Sequence, residues 1–76
     1  MSPRDRQILI LLRAEGELTL GMIATRFTLS TSHASRIVAA LVDRKLVERR
    51  ENPLDRRMTL HSLTPAGRQE TAPVAA

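Results

Sequence analysis

One short stretch of the chain, Asn52 to Leu60 (NPLDRRMTL), combines an Asn-Pro turn with one carboxylate and two guanidinium groups. Asp55 and Arg57 are two residues apart, and residues at that spacing in an extended segment project to the same side. The carboxylate can therefore hold the guanidinium through a charge-assisted fork. Fixing a long side chain before it binds a polyanion removes roughly 0.5–1.5 kcal/mol of ordering cost. The alternative is an exposed ion pair worth ~0–1 kcal/mol with no further role.

A second group of candidate side chains lies at the start of a predicted helix, in which Ser30 has the N-cap position. At about 100° per residue, the first two turns of this helix expose four polar residues. They are Ser32, His33, Ser35 and Arg36. Hydroxyl groups and an arginine can pair with base edges or phosphates, and the free N–H groups at the helix start form a phosphate-sized site. No carboxylate occurs between Thr28 and Val42, whereas an ordinary solvated face mixes both signs of charge.

Apolar residues at helical spacing predict three amphipathic helices that would position these groups. The first runs from Pro3 to Glu15, with Ser2 as its cap and Gly16 at its C-terminal end. The second is capped by Thr19, and the third spans residues 30–44. The predicted inward residues are Ile8, Leu11 and Leu12, flanked by Leu9; then Leu20, Ile23, Ala24 and Phe27; then Ala34, Ile37, Val38 and Leu41. The turn between the second and third helices is so short that they must cross steeply, as in a helix-turn-helix.

The period of the apolar residues changes after the third helix. Two strands are predicted, Leu46 to Arg50 and Met58 to Leu63, and Leu18 is predicted to be a short extended link before the second helix. Thr64 has the capping position of a last helix, and residues 73–76 are expected to form a frayed tail. The predicted fold class is α+β and mostly helical. It is a winged helix-turn-helix with a three-helix core, a two-stranded β-hairpin wing and the start of a C-terminal helix.

Composition limits the chain to one small domain, which we place at residues 1–72 of 76. Twelve Lys and Arg residues against eight Asp and Glu give a net charge of +4, and all but one of the cations are arginine. Arginine suits phosphate and guanine, although a high-GC coding bias explains the preference equally well. Cysteine is absent, and the longest apolar run is too short to cross a membrane. A reducing cytoplasm is the expected compartment, with no membrane partner.

The sequence gives no indication of catalysis or of a metal site. Its two histidines, His33 and His61, are far apart, and no nucleophile has an obvious base nearby. We expect no enzyme activity, no metal and no cofactor. His61 is expected to be a solvated strand residue.

Three motifs resemble the DNA-binding core of the MarR family of bacterial transcription regulators. They are LTLGMIATRF, LSTSHASRIVAALVDRKLVERR and NPLDRRMTLHSLTPAG. The resemblance implies sequence-specific binding of double-stranded DNA, with the recognition helix 30–44 in the major groove and the wing 50–57 in the minor groove. In this family the wing aspartate pairs with the arginine two residues on, which maps onto Asp55 and Arg57. Arg56 points the other way and is expected to contact a phosphate.

The residues and the resemblance together predict a set of DNA-binding residues: Ser30, Ser32, His33, Ser35, Arg36, Arg49, Arg50, Asp55, Arg56 and Arg57. The alternative function is a winged-helix protein-interaction module without direct DNA binding.

The chain departs from the family pattern in three respects. Lys45 and Thr28 stand where members usually have glycine, so both are expected to cost local stability, and Lys45 is expected to adopt a left-handed backbone conformation. The helices that build the dimer in full members are not found in this sequence. The sequence therefore leaves open whether the chain forms a homodimer, and it does not support binding of a small-molecule effector.

Overall fold

The computed structural model of the protein describes residues 2–72. Its elements are α1 (Pro3–Glu15), β1 (Glu17–Thr19), α2 (Leu20–Arg26), α3 (Thr31–Asp43), β2 (Val47–Glu51), β3 (Thr59–Leu63) and α4 (Pro65–Glu70). The predicted winged helix-turn-helix is confirmed, and each hairpin strand begins one residue later than expected. The predicted frayed tail, 73–76, lies outside the described residues.

Side-chain oxygens begin all four helices at the predicted capping positions. Each accepts a hydrogen bond from the backbone N–H three residues on: Ser2 from Asp5 at 3.2 Å, Thr19 from Met22 at 3.2 Å, Ser30 from His33 at 3.1 Å and Thr64 from Gly67 at 3.0 Å. These bonds satisfy donors that the first helical turn leaves free. Gly16 ends α1 with a φ of 90°.

An aliphatic core joins the three larger helices to the sheet. Its buried members are Ile8, Leu9, Leu12, Leu18, Ile23, Val38, Leu41, Leu46, Val47 and Leu63. Leu9, predicted only to flank the inward stripe, is fully buried, while Leu11 is partly buried. The reason is that α1 packs against α4 as well as against β1 and β3, which widens its buried arc.

The sheet has three antiparallel strands in the order β1-β3-β2, not the hairpin alone. The link predicted at Leu18 is itself a strand, because β3 offers a second edge on which Leu18 pairs with His61. His61 consequently lies on the central strand and is 4% exposed, so the prediction of a solvated residue was wrong. Its Nδ1 lies 3.2 Å from the carbonyl oxygen of Leu18.

The two residues that replace family glycines have positive φ angles, 63° at Lys45, as expected, and 54° at Thr28. At the end of α3 the N–H of Lys45 donates to the carbonyl of Val42, and that of Leu46 donates to the carbonyl of Leu41. This is the pattern of a Schellman motif, with lysine in the position that glycine usually occupies.

Thr64 fastens this end of α3 to the start of α4. Its hydroxyl donates to the carbonyl oxygen of Lys45 at 2.6 Å, and its N–H donates to the carbonyl oxygen of Leu46 at 3.1 Å. Gly67 then packs so closely that an added Cβ would overlap the Leu46 carbonyl oxygen. The end of α3 and the first turn of α4 therefore form one tightly packed joint.

Candidate nucleic-acid interface

The N-terminal half of α3 presents the polar face that its sequence predicted. Ser32, Ser35 and Arg36 are exposed at spacings of three and four residues, so they lie on one side of the helix. Ala34 and Val38 face inward and anchor α3 to the core. His33 is exposed beside this face, and no acidic residue occurs in the first turn. The helix can therefore approach a polyanion without like-charge repulsion from its own first turns.

A concave recess of about 380 Å³ lies between α3 and the hairpin. Three of the predicted site residues line it: Ser35 from α3, Arg49 from β2 and Arg57 from the wing. His61 also contributes to the lining, and no lining residue is acidic. Ser35 on the flank of α3 and the wing thus border the same concavity, whereas Ser32, His33 and Arg36 do not line it.

Asp55 and Arg57 of the wing are paired, although not as a fork. A single carboxylate oxygen of Asp55 accepts from the backbone N–H of Arg57 at 3.0 Å and from its Nε at 3.2 Å. The Arg57 side chain is 91% exposed, so the rest of its guanidinium group faces solvent. The carboxylate therefore fixes the base of the side chain and leaves its end free to bind a partner.

Arg56 lies on the wing with its side chain 89% exposed, and its Nε is 3.3 Å from a carboxylate oxygen of Glu51. Sequence reasoning missed this pair, although an acid just before the turn was a signal for it. An exposed pair of this length is weak and can exchange for a phosphate.

Arg49 and Arg50 lie on opposite faces of β2, as neighbours in a strand must. Arg49 pairs in register with the inward-facing His61 and lines the recess. Arg50 instead forms a two-point ion pair with Glu17 of β1, with Nε–Oε2 at 2.5 Å and Nη2–Oε1 at 2.8 Å. The hydrogen bond is the largest cause of a lowered pKa at Glu17 and of a raised pKa at Arg50. No local pattern predicts this pair, because its members are 33 residues apart.

Ser30 uses its hydroxyl to cap α3 through the His33 N–H, so it contributes to the site by ordering the helix start. Within residues 2–72 no group of three or more His, Cys, Asp or Glu side chains could hold a metal ion. In the same described part of the chain, no helix has the length and apolar character that a membrane span requires.

A family model described as the MarR family matches residues 1–58, which is more than half of the chain. The chain belongs to the MarR family. A search of curated proteins found no match.

Several solved structures resemble this chain closely in fold. A cysteine-to-serine mutant of MarR from Escherichia coli, complexed with operator DNA, matches with a TM-score of 0.89 at 24% identity, over 93% of this chain and 51% of that chain. RV1404 from Mycobacterium tuberculosis matches with a TM-score of 0.86 at 30% identity, over 91% of this chain and 47% of that chain. YusO from Bacillus subtilis matches with a TM-score of 0.89 at 28% identity, over 93% of this chain and 50% of that chain. The chain thus spans about half the length of these relatives.

Proposed function

We propose that this MarR-family chain is a transcriptional regulator that binds double-stranded DNA sequence-specifically, with α3 in the major groove and the wing in the adjacent minor groove. The observation that carries this proposal is the shared recess. Ser35, Arg49 and Arg57 reach it from three different elements, and none of its lining residues is acidic. Membership of the MarR family and the likeness to a relative solved with operator DNA support the same function.

In this proposal α3 reads base edges through its exposed N-terminal half. Arg36 is the residue best suited to pair with guanine, since an arginine can donate two parallel hydrogen bonds to its O6 and N7. Ser32 and Ser35 are small enough to allow close approach, and they and His33 can donate to bases or phosphates. The free N–H groups at the start of α3, ordered by Ser30, provide a phosphate site.

The wing contributes a positioned arginine in the minor groove. Asp55 holds Nε of Arg57, and the exposed end of that side chain meets the strongly negative potential of a narrow minor groove. Arg56 contacts a phosphate by exchanging Glu51 for it. Arg49, on the recess side of β2, is the better candidate for a second phosphate contact, whereas the guanidinium of Arg50 is bound to Glu17 on the other face.

Protein docking without direct DNA binding would require an apolar exposed face on α3. The residues exposed in its first two turns all carry a hydroxyl group, an imidazole or a guanidinium group. DNA binding is therefore the function that we propose. Whether the chain acts as a dimer is settled by its molar mass in solution with and without duplex DNA, since a lone monomer recognises only one half-site.

The proposal is tested by fluorescence anisotropy on two duplexes, one selected from a random pool and one of mixed sequence. We expect affinity for both to fall as salt rises from about 50 to 200 mM, because phosphate contacts release counterions. Arg36→Ala should bind the selected duplex roughly tenfold more weakly or worse, with a smaller loss for the mixed-sequence duplex. The variant should also lose its preference at one base position. Arg68→Ala removes the same charge from α4 and is the matched control. Equal affinity of wild type and Arg36→Ala for both duplexes would refute the role given to α3.

A further inference from the structure

The ion pair between Glu17 and Arg50 connects the two outer strands of the sheet. Strands β1 and β2 do not pair with each other, because β3 lies between them. Glu17 pairs in register with Ser62, and Arg50 pairs with Leu60, so the two side chains reach diagonally across the central strand. Both groups are partly exposed, and two separate hydrogen bonds fix their relative orientation.

Beyond this pair, the hydrogen bonds of residues 52–58 all lie within that segment. The N–H of Asn52 donates to the Met58 carbonyl, and its side-chain oxygen accepts from the N–H of Leu54 at 2.9 Å. Leu54 at the tip is 94% exposed and packs on nothing. Arg50 is followed by only one further residue of β2, so its bond to Glu17 lies at the stem of the wing.

We propose that Glu17 and Arg50 act as a positioning pair, which holds the stem of the wing against β1 so that Arg57 enters DNA at a fixed angle. This inference rests on the proposed DNA-binding function and assigns Arg50 an indirect role. It also gives a carboxylate, Glu17, a favourable effect on the affinity for a polyanion.

A direct contact between Arg50 and a phosphate predicts the opposite effect at Glu17. In that case Glu17 competes with DNA for the guanidinium, and its removal would free Arg50 and strengthen binding. If the two residues position the wing together, removal of either one loosens the stem and weakens binding. The sign of the change in affinity at Glu17 therefore distinguishes the two roles.

The experiment measures the dissociation constant for one duplex with wild type, Glu17→Gln, Arg50→Gln and the double variant. Glu48→Gln is the matched control, because Glu48 is exposed two residues before Arg50 on the same face of β2 and has no ion pair among residues 2–72. We expect Glu48→Gln to bind slightly more tightly through the loss of one negative charge. Glu17→Gln and Arg50→Gln should each bind about threefold more weakly, and the double variant no more weakly than Arg50→Gln.

The proposal would be overturned in favour of a phosphate contact by two results together. Glu17→Gln would bind DNA more tightly than wild type, and the slope of log affinity against log salt concentration would fall by about one in Arg50→Gln but not in Glu17→Gln. Amide hydrogen exchange of residues 52–58 provides a readout that needs no DNA. We expect the two single variants to exchange faster than wild type by the same factor, with Glu48→Gln unchanged. If neither wild type nor any variant binds duplex DNA, the proposed function is wrong. Separately, if residues 52–58 exchange at the same rate in Glu17→Gln as in wild type, the proposed positioning role of the pair is wrong.

Discussion

The stretch NPLDRRMTLHSLTPAG falls into two halves with opposite surroundings. The first half, residues 52–58, carries the most exposed side chains of the hairpin and is held by bonds within its own turn. In the second half, residues 59–67, His61, Leu63 and Gly67 are buried, and Thr64 is bonded to the end of α3. Packing explains the residues of the second half, whereas nothing within the described chain requires the arginines of the first.

The difference separates what the fold needs from what a partner needs. Gly67 and Thr64 can be understood from the joint that they make with Lys45 and Leu46. An exposed arginine that an aspartate holds in place has no comparable structural purpose, since such pairs add little to stability. Variants at the packed positions of the second half should thus change stability, and variants of the arginines in the first half should change DNA binding alone.

Gly67→Ala is expected to have the largest effect on stability. The new methyl group would overlap the Leu46 carbonyl oxygen, which cannot move away easily because it accepts the N–H of Thr64. We expect the free energy of unfolding to fall by about 3 kcal/mol or more, which is a large part of the stability of a small domain. Urea or thermal unfolding followed by circular dichroism measures this loss.

Gly21→Ala is the control for that variant. A Cβ at Gly21 would have only Thr19 Oγ1 at 4.0 Å nearby, so alanine should raise the free energy of unfolding by about 0.5–1 kcal/mol. Equal stability of the two alanine variants would show that the joint between α3 and α4 is not tightly packed.

Arg57→Ala should separate binding from stability in the first half of the stretch. We expect roughly tenfold weaker binding to both mixed-sequence and selected duplexes, since the side chain supplies a minor-groove contact. The free energy of unfolding should stay within about 0.5 kcal/mol of wild type. Leu54→Ala, at the exposed tip, is the control and should change neither quantity. A destabilised Arg57→Ala protein would remove the distinction between the two halves.

Lys45→Gly tests the joint from the side of α3. Lysine at a φ of 63° is strained, whereas glycine adopts this conformation freely, so the variant should be more stable by about 1 kcal/mol. Arg44→Gly changes the preceding residue, whose φ is −83°, and should lower the stability instead. Thermal unfolding of the pair gives the sign of each effect, and a destabilised Lys45→Gly protein would contradict the account of this turn.

His61, in the second half of the stretch, should make the free energy of unfolding depend slightly on pH. Burial is the main cause of its lowered pKa, partly offset by the hydrogen bond to Leu18 and reinforced by the charge of Arg49. Because the unfolded chain binds the proton more readily, this contribution to stability is complete above pH 6.5 and declines as pH falls toward the lowered folded pKa. Urea unfolding between about pH 7.5 and 5 should show a smaller pH slope in His61→Asn than in wild type, with His33→Asn as the control.

Local sequence patterns predicted the features that depend on neighbouring residues. The limits of α1, the four capping residues and the left-handed Lys45 follow from short-range hydrogen bonding and sterics. The pairing of Asp55 with Arg57 was also predicted, but its geometry differs from the prediction. The pair lies in a turn closed by the Met58 N–H and the Asp55 carbonyl, not in an extended segment.

Features that depend on distant parts of the chain were missed. Strand β1 has three residues, too few to show a period, and it exists because β3 has a free edge. For the same reason the burial of His61 on a central strand had no local signal. The partner of Arg50 could not be named either, since Glu17 approaches it only when all three strands are assembled.

The most direct test of the account is a map of backbone amide shifts in the protein as duplex DNA is added. We predict that the largest perturbations fall on Ser32 to Arg36, on Arg49 and on Asp55 to Thr59, because these segments carry the proposed DNA contacts and meet at a recess lined by Ser35, Arg49 and Arg57. Perturbations confined to α1 and α4, with α3 and the wing unchanged, would contradict the claim that this recess receives DNA.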